Sequence, residues 1–334
     1  MSPSLSIVIP SHNRPDLLDA CLRTVTLHAP KNTEIIVVDD ASPELTVSRV
    51  ASRFPVVQVL RLPKQKGFCA AVNAGIRAAS GAIVEVLNDD TEVSPGWAAP
   101  VFAAFEDSGV AAVAPLVLYW QATADRISPP LVDSAGDCYY VGGIAGKRGH
   151  GLPLGASHLR RGLVFGASAS SAFFRRAVLL EVGAFPESFG AYFEDVDLAF
   201  RLHWAGYQIL YEPASRVFHH VSASYGSPQR GLLEQQSQNE ERVFWRNLPS
   251  RALLRALPHH FAVVFAKAWR RWQEGNLAPF LRGRLRVLGE ARLLVQHRSQ
   301  LRRTGRSCDL SEWQVDQRFK AVLERVSTLA RPAE

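Results

Sequence analysis

Four short apolar runs in the first 90 residues constrain the fold of this chain more than any other feature. They are residues 5–10 (LSIVIP), 34–40 (EIIVVDD), 56–63 (VVQVLRLP) and 82–90 (AIVEVLNDD). Short aliphatic runs of this kind, bounded by turn residues, are typical of buried strands. The apolar spacing between them predicts one helix that begins near Pro15 and another from Gly67 to about Ala79. Strands that alternate with helices in this way favour a mostly parallel α/β sheet flanked by helices.

Polar side chains stand at the C-terminal ends of these predicted strands. They are Ser11, Asp39, Asp40, Asn88, Asp89 and Asp90. Open α/β sheets bind ligands in the crevice beyond the carboxyl ends of their strands. Adjacent acids there suit a divalent cation, above all when phosphates add oxygens, although Asn and Asp are also ordinary turn residues. The usual glycine-rich phosphate loops are missing, so any phosphate would depend on a metal and nearby cations.

A third group of acids lies in the stretch YFEDVDLAFRLHWAGY, from Tyr192 to Tyr207. Helical spacing puts Asp195 on the same inward face as Leu198 and Leu202. Acids in a first helical turn stabilise the helix by about 0.3–1 kcal/mol each, so the simple alternative is helix capping rather than a cleft. Similarly, His219 and His220 follow a predicted strand and are either packed residues or a nitrogen ligand for a metal.

The remaining chain divides by charge. Residues 1–228 hold 18 basic and 21 acidic residues, and the last 106 hold 20 and 10. We expect a helix near 95–107 and strands at 110–119, 163–174 and from Gln208, with loops between about 120 and 162. This predicts a catalytic body at 1–228, followed by a basic helical region at 229–334.

Within residues 242–286 arginines alternate with Trp and Phe, a pattern typical of helices that lie on an anionic membrane surface. A packed helical subdomain and an oligomer contact are the alternatives, and no nucleic-acid motif accompanies the charge. No apolar run reaches membrane-spanning length, and the first residues lack a signal-peptide pattern. Four scattered cysteines without a C-x-x-C pair favour unpaired thiols and a cytoplasmic protein, with the inner face of the membrane as a further possibility.

Five segments together resemble a known family. They are SIVIPSHNRPDLLDACLRTV, IIVVDDAS, KGFCAAVNAGIRAASGAIVEVLNDDTEVSPGW, GAFPESFGAYFEDVDLAFRLHWAGY and VFHHVSAS. In this order they resemble the family-2 inverting glycosyltransferases of the GT-A fold, in particular the bacterial rhamnosyltransferase-like branch that builds cell-surface polysaccharide. The resemblance covers roughly residues 4–225 and implies that the body at 1–228 has a nucleotide-sugar half at about 1–120 and an acceptor half at about 121–228. It implies a sugar transfer from a dTDP- or UDP-linked donor to a saccharide or lipid-linked saccharide, with Mg²⁺ or Mn²⁺.

The resemblance also implies roles for individual residues. Nucleotide and donor contacts fall to Ser11, Asp39, Asp40, Asn88 and Asp89. Asp90 is then the main metal ligand, assisted by His219. Asp195 is the general base, with Glu194 and Asp197 supporting the acceptor. Two departures from the family pattern are Asn88 at the first position of its D-x-D motif and Gln65, where many relatives have Asn.

Two other functions compete with this interpretation. Sugar-nucleotide pyrophosphorylases have a similar sheet and a metal-binding Asp, but they need a Gly-rich basic loop after the first strand, and PSHNRPD contains no Gly. A non-catalytic nucleotide-sugar-binding protein of the same fold would not need Asp90, Asp195 and His219 together.

Overall fold

The computed structural model describes residues 4–121, 129–220, 230–305, 309–318, 320–322 and 324. The strands in these ranges are β1 (Leu5–Ser11), β2 (Glu34–Asp39), β3 (Val57–Arg61), β4 (Ile83–Leu87), β5 (Thr91–Val93), β6 (Val110–Tyr119), β7 (Val132–Ser134), β8 (Asp137–Tyr140), β9 (Ile144–Lys147), β10 (Gly162–Leu163), β11 (Ser171–Arg175), β12 (Gln208–His219) and β13 (Val315–Asp316). The helices are α1 (Pro15–His28), α2 (Thr46–Ala51), α3 (Phe68–Ala78), α4 (Ala99–Ala104), α5 (Arg176–Glu181), α6 (Glu194–Trp204), α7 (Arg230–Asn247), α8 (Ser250–Gln273), α9 (Leu277–Arg286) and α10 (Ala291–Thr304).

One large sheet organises the molecule, in the order β10-β12-β6-β11-β4-β1-β2-β3, with β5 beside β12 and β7 beside β6. The half from β3 to β4 is parallel throughout, as the sequence predicts. In the other half β11 runs antiparallel between β4 and β6, whereas β12 is parallel to β6. The α/β class is therefore confirmed, and the sheet is mixed rather than parallel from edge to edge. A small sheet, β13-β8-β9, lies apart from it.

The parallel half forms where local pattern and burial agree. Every residue of β1 and β4 is buried, including Ser6 and Glu85, as expected for mostly aliphatic strands in the middle of a sheet. On one face α1 buries Leu18, Cys21, Leu22 and Val25. On the other, α3 lies so close to the sheet that a Cβ on Gly75 would overlap the side chain of Val8. Buried clusters on both faces thus hold the carboxyl ends of β1, β2 and β4 side by side.

Two predicted strands have different bounds in the structure. The strand expected at 163–174 is present only as β11, and residues 164–170 form an irregular connection to it. Gly166 sits there against Ala199 and Asp137, an approach that leaves little room for a side chain. The segment from Gln208 continues unbroken to His219, with a register shift between Glu212 and Arg216 that absorbs its proline.

The C-terminal helices share a core with the body. Val243 and Phe244 of α7 and Val263 of α8 belong to the same buried cluster as Val8 of β1. α6 is consequently covered on all sides, and Asp195 is the only one of its residues that is not buried. The predicted boundary near 228 falls at 221–229, outside the described residues. No helix of the described part is long and apolar enough to cross a membrane. Cys21, Cys69 and Cys138 are free thiols, and Cys308 lies outside the described residues.

Candidate active site

Asp39 is buried at the end of β2, where the protein itself surrounds its carboxylate. It accepts hydrogen bonds from the Ser42 amide at 2.8 Å, from Arg61 Nη1 at 2.6 Å and from the Ser48 hydroxyl. Burial alone would raise the pKa of Asp39, but hydrogen bonds from Ser48 and Ser42 outweigh it and lower the pKa. The carboxylate is therefore ionised and fixed in place.

Asp40, the next residue, holds the loop that leads into α3. Its two oxygens accept from the backbone amides of Lys66 at 2.7 Å and Gly67 at 2.8 Å. The first turn of α3 in turn reaches the segment before α6, because the Cys69 amide donates to the Gly190 carbonyl at 3.0 Å. The end of β2 is thus connected to the region where α6 begins. Gln65 in this loop is exposed.

The acidic residues after β4 meet the end of β1. Ser11 Oγ donates to Asp89 at 2.6 Å, and Arg14 Nη1 lies 3.1 Å from Asp90 and 3.4 Å from Asp89. Burial raises the pKa of Asp89 to about 6, although Arg14 and the Ser11 hydrogen bond act in the opposite direction. Asn88 Oδ1 has no hydrogen-bond partner among the described residues. Three strand ends therefore converge, as the sequence predicts for a parallel sheet.

His219 comes from the far side of the sheet and bridges two carboxylates. Its Nε2 lies 3.1 Å from Asp90 Oδ1 and its Nδ1 lies 2.9 Å from Asp133 Oδ2. Asp133 also pairs with Lys147 at 2.8 Å and with His150 at 3.2 Å. Burial would lower the pKa of His219, but hydrogen bonds to both carboxylates raise it. Burial alone would raise the pKa of Asp133. Hydrogen bonds with His150 and His219, together with the charge of Lys147, instead hold this pKa well below its ordinary value.

Asp90 and His219 have the separation that a shared cation requires. Adjacent ligands in an octahedral site of about 2.1 Å radius lie about 3 Å apart, and their donor atoms are 3.1 Å apart. Asp133 can hold the imidazole from its other nitrogen, as carboxylates do behind metal-binding histidines. No group of three His, Cys, Asp or Glu side chains suited to a metal exists in the part of the chain described. The remaining ligands would therefore be water and ligand oxygens.

Asp195 stands in the first turn of α6, partly exposed. Its oxygens accept from the Ala169 amide at 3.2 Å and from the Val196 amide at 2.8 Å. Burial raises the pKa of Asp195, and these hydrogen bonds together with Lys147 offset only part of that effect. Glu194 beside it is buried, and its Oε2 has no hydrogen-bond partner among the described residues. Burial and Asp195 raise the pKa of Glu194 as well.

A short turn at residues 168–170 joins the two acidic groups. The Ala169 amide holds Asp195, and the Ser170 carbonyl accepts from the Asn88 amide at 3.0 Å. Asp137 lies on the same side: it is buried, its Oδ1 lacks a hydrogen-bond partner in the described part, and burial and Asp195 raise its pKa. The turn therefore links Asp195 to the strand end that carries Asn88, Asp89 and Asp90, and we call the region between them the candidate cleft.

The backbone around this cleft is strained at residues that are not glycine. Tyr192 and Phe193, immediately before α6, have φ of 70° and 66°. Asn13 after β1 and Ala41 after β2 have φ of 54° and 56°. Such conformations cost about 1–3 kcal/mol each and concentrate at functional sites. The strain sets the direction in which each strand end and the α6 carboxylates point.

The structure places Asp197 in an ion-pair cluster, and its acceptor role stays a prediction. This carboxylate is fully buried at the contact of α6 with α7, away from the cleft. It pairs with Arg201 at 2.8 Å and Arg246 at 3.1 Å, and it accepts from Asn247 Nδ2 at 2.8 Å. Burial would raise its pKa, yet Arg246 and Arg201 lower the pKa of Asp197 to about 2. Asp197 is therefore an ion-pair residue that fastens α6 to the C-terminal region.

Sequence reasoning did not identify Arg14, Asp133, Asp137 or Lys147. Arg14 follows β1 in the quoted SHNRPD segment, where its charge opposite two acidic strand ends was available as a signal. The other three lie between 129 and 150, a region with no clear periodicity. Acids spaced by four residues in the otherwise apolar LVDSAGDCYY were the available signal there.

Comparison with known proteins agrees with this geometry. O-antigen biosynthesis protein RfbC of Myxococcus xanthus is 27% identical over 237 residues. That match covers 67% of this chain, and the chain spans only 18% of the length of RfbC.

Two solved structures share the fold. GalNAc-T7 with UDP, GalNAc and Mn²⁺ superposes with a TM-score of 0.62 at 17% identity, covering 98% of this chain and 57% of that one. The mannosyltransferase PcManGT of Pyrobaculum calidifontis, with GDP-Man and Mn²⁺, gives 0.54 at 16% identity, covering 99% and 87%. Both support a GT-A-like α/β fold. The family described as Glycosyl transferase family 2 matches residues 6–183, more than half of the 334 residues. This chain therefore belongs to glycosyl transferase family 2.

Proposed function

We propose that this protein is a metal-dependent inverting glycosyltransferase that moves a sugar from a nucleoside-diphosphate donor to an acceptor hydroxyl group. The observation that carries the proposal is the turn at 168–170, which holds Asp195 on one side and the Asn88 backbone on the other. A base and a cation-binding carboxylate on either side of one turn suit a single in-line displacement at a sugar carbon. Membership of the family supports the same chemistry.

Asp195 would act as the base. As the acceptor oxygen attacks the anomeric carbon, Asp195 takes the hydroxyl proton, the bond to the diphosphate oxygen breaks, and the configuration inverts. A raised pKa suits this role, because a carboxylate with a very low pKa is a weak proton acceptor. Glu194 beside it, with an oxygen that lacks a partner in the described part, would accept a hydrogen bond from another acceptor hydroxyl.

Asp90 and His219 would hold Mg²⁺ or Mn²⁺ at the donor diphosphate. When bound, the cation stabilises the negative charge that develops on the leaving group. Arg14, already beside Asp90 and half-exposed, would turn toward the diphosphate oxygens. The other proposed nucleotide contacts are Ser11, Asp39, Asp40, Asn88 and Asp89. UDP and GDP-Man accompany Mn²⁺ in the two solved structures of this fold, which supports a nucleotide-sugar with a divalent cation.

The finer assignments rest on resemblance. A dTDP- or UDP-linked sugar such as rhamnose, and a cell-surface glycan or lipid-linked saccharide as acceptor, follow from the rhamnosyltransferase-like segments. The printed name of RfbC, an O-antigen biosynthesis protein, supports polysaccharide assembly. We place the enzyme in the cytoplasm, at the inner face of the membrane, with a catalytic body at 1–228 and a basic helical region at 229–334.

Contact with a membrane would occur through α8 rather than through all of 242–286. Exposed apolar side chains of α8 are Leu254, Phe261, Phe265, Trp269 and Trp272. At about 100° per residue they fall within an arc of about 80°, and such a stripe with flanking arginines suits an anionic lipid surface. In contrast, Phe244 and Phe280 are buried. Arg242, Lys267 and Arg284 pair with acids inside the protein.

Thermal melting with a panel of nucleoside diphosphates, with and without Mn²⁺, tests the proposal. Ligand stabilisation follows RT ln(1 + [L]/Kd), so the wild type should show a Mn²⁺-dependent shift for one nucleotide. Asp90→Asn should lose the shift. Asp195→Asn should keep the shift and lose sugar transfer, measured as donor turnover with and without saccharide acceptors. Asp16→Asn, an exposed aspartate close to Arg14, is the matched control.

Two outcomes would count against the proposal. No Mn²⁺-dependent shift for any nucleotide would leave the strand-end acids without a ligand. If Asp195→Asn turned over the donor at the wild-type rate, Asp195 would not be the base, and a non-catalytic or differently acting protein would be favoured.

A further inference from the structure

A second cavity, of about 890 Å³, lies at the opposite end of α6 from Asp195. It is lined by Trp204 at the end of α6, by the start of α8, by α10 and by residues 309–317. Nine residues of helix separate Asp195 from Trp204, which is about 14 Å at 1.5 Å per residue. The volume is within the range of about 300–1,000 Å³ usual for small-molecule sites. This cavity is therefore distinct from the transferase cleft.

Arginine dominates the lining. The five are Arg246, Arg251, Arg255, Arg298 and Arg302, against Asp309 as the one acidic lining residue in the described part. Arg246 is neutralised by Asp197. The other four have no acid within ion-pair distance among the described residues. Only Oδ1 of Asp309 is engaged locally, by the Ser311 amide at 2.8 Å and the Ser311 hydroxyl at 2.7 Å, and a single carboxylate cannot balance four arginines.

The arginines on α10 are partly fixed in position. Arg298 Nη1 donates to the Trp245 carbonyl at 2.7 Å and its Nη2 to Ser250 Oγ at 3.0 Å. Each of these nitrogens carries a second N–H, which leaves donors available. Burial lowers the pKa of Arg298, and the charge of Arg302 lowers it further. Two like charges beside a half-buried cavity are unfavourable unless an anion lies between them.

The rest of the lining is mostly apolar, with Ser250, His259 and Gln317 as its other polar members. Its apolar part includes Val141, Leu248, Leu301, Leu310 and the Trp204 ring. Low polarity strengthens charge-assisted hydrogen bonds, and the planar guanidinium matches phosphate oxygens. Carboxylate ligands fit less well, because four unpaired arginines exceed what one carboxylate can engage.

We propose that this arginine-lined cavity binds a phosphate-bearing anion, a phosphate or diphosphate group held by Arg251, Arg255, Arg298 and Arg302. The site is independent of the transferase proposal, since it uses no donor-site residue and no metal. The group belongs either to a free diphosphate or to a lipid headgroup, because the exposed stripe of α8 begins at Leu254, between two of these arginines.

Calorimetric titration of the full chain tests the proposal in buffer stripped of divalent cations on a chelating resin, with 150 mM salt. One arm uses inorganic diphosphate. The other uses phosphatidylcholine vesicles with and without phosphatidic acid. Without a cation the donor site lacks the metal proposed to hold diphosphate there, and the variants described next distinguish the remaining heat of the two sites. At this salt the Debye length is about 8 Å, which suppresses diffuse surface attraction.

The double variant Arg298→Gln/Arg302→Gln should weaken binding at least about tenfold, because two charge-assisted contacts are lost. Arg303→Gln removes the same charge from the neighbouring, exposed position of α10 and should change binding less than about twofold. Asp195→Asn should also leave it unchanged. If the double variant unfolds at a lower temperature than the wild type, Arg255→Gln provides the same comparison. Arg255 lines the cavity but is exposed, so its replacement alters no buried side chain.

Binding of free diphosphate that only the cavity variants weaken supports the proposal and identifies a soluble ligand. Binding confined to phosphatidic acid vesicles, with the same variant pattern, supports it and identifies a headgroup. No binding in either arm overturns it. Equal weakening by Arg303→Gln overturns it too, since diffuse charge would then explain the effect.

Discussion

Asp195 and Asp197 are two acids in one helical turn, and their surroundings in the structure differ. We expect Asp195→Asn to abolish transfer and leave folding intact, and Asp197→Asn to destabilise the protein while its folded fraction keeps its activity. Both changes replace a carboxylate with an amide of the same shape, so each variant is the control of the other.

The magnitude for Asp197 follows from its surroundings. Its pKa is held at about 2, against an ordinary 3.8, and a pKa unit corresponds to about 1.4 kcal/mol. The ionised form therefore contributes about 2 kcal/mol at neutral pH. Removing it also leaves Arg201 and Arg246 buried without their partner, and breaking a buried pair costs about 3–5 kcal/mol. Because the pKa is lowered on folding, this stability is present above about pH 3.8 and is lost as the pH falls toward 2.

For Asp195 the expected loss is in rate. Positioned acid–base groups contribute about 10²–10⁴-fold. Since burial raises its pKa, the neutral amide should leave stability unchanged or slightly increased. Urea unfolding at pH 7 measures the first effect, and donor turnover per folded molecule measures the second. The reasoning fails if Asp197→Asn unfolds at the wild-type urea concentration, or if Asp195→Asn loses stability as Asp197→Asn does.

Three further results are expected. Burial raises the pKa of Glu85 to about 8, so wild-type stability should fall as the pH rises from about 5 to 8, and Glu85→Gln should flatten that decline in melting temperature. Asp133→Asn should weaken Mn²⁺ binding about 10–100-fold in a thermal titration, because His219, which we propose binds the metal, loses its supporting carboxylate; unchanged affinity would contradict this. Phe261→Ser/Phe265→Ser should reduce cosedimentation with anionic vesicles, whereas Leu27→Ser, at an equally exposed apolar position on α1, should not.

The parallel half of the sheet could be predicted because its signals are local. β1, β2 and β4 are short, mostly aliphatic and almost wholly buried, whereas β3 at the sheet edge is largely exposed. In addition, α1 and α3 show helical spacing with a proline or glycine at the start. The antiparallel position of β11 could not be predicted in this way. Its pairing joins Phe173 to both Glu85 and Val113, and such long-range contacts leave no periodic trace within the strand.

The same distinction between local pattern and long-range contact applies to the residues of the candidate site. Polar residues at the ends of β1, β2 and β4 were predicted to converge, since parallel strands end at one edge, and the structure brings Ser11 to Asp89. Asp133 and Lys147 enter from short strands of the middle segment, whose order is set by tertiary contacts rather than by pattern. Their meeting with His219 depends on β12 pairing beside β6, which the sequence does not encode locally.

The surroundings of Asp197 show where the limit of local reasoning lies. An amphipathic helix has one inward face, and from that premise every acid in the first turn of α6 is a candidate for the cleft. The premise fails because α7 and α10 cover the outer face, so the whole helix after Asp195 is buried. Residues two apart on a helix point about 200° apart. Asp195 therefore faces the cleft, and Asp197 faces Arg246, nearly fifty residues later in the chain. Which acid is free for chemistry is decided by the C-terminal helices, and α6 alone contains no information about them.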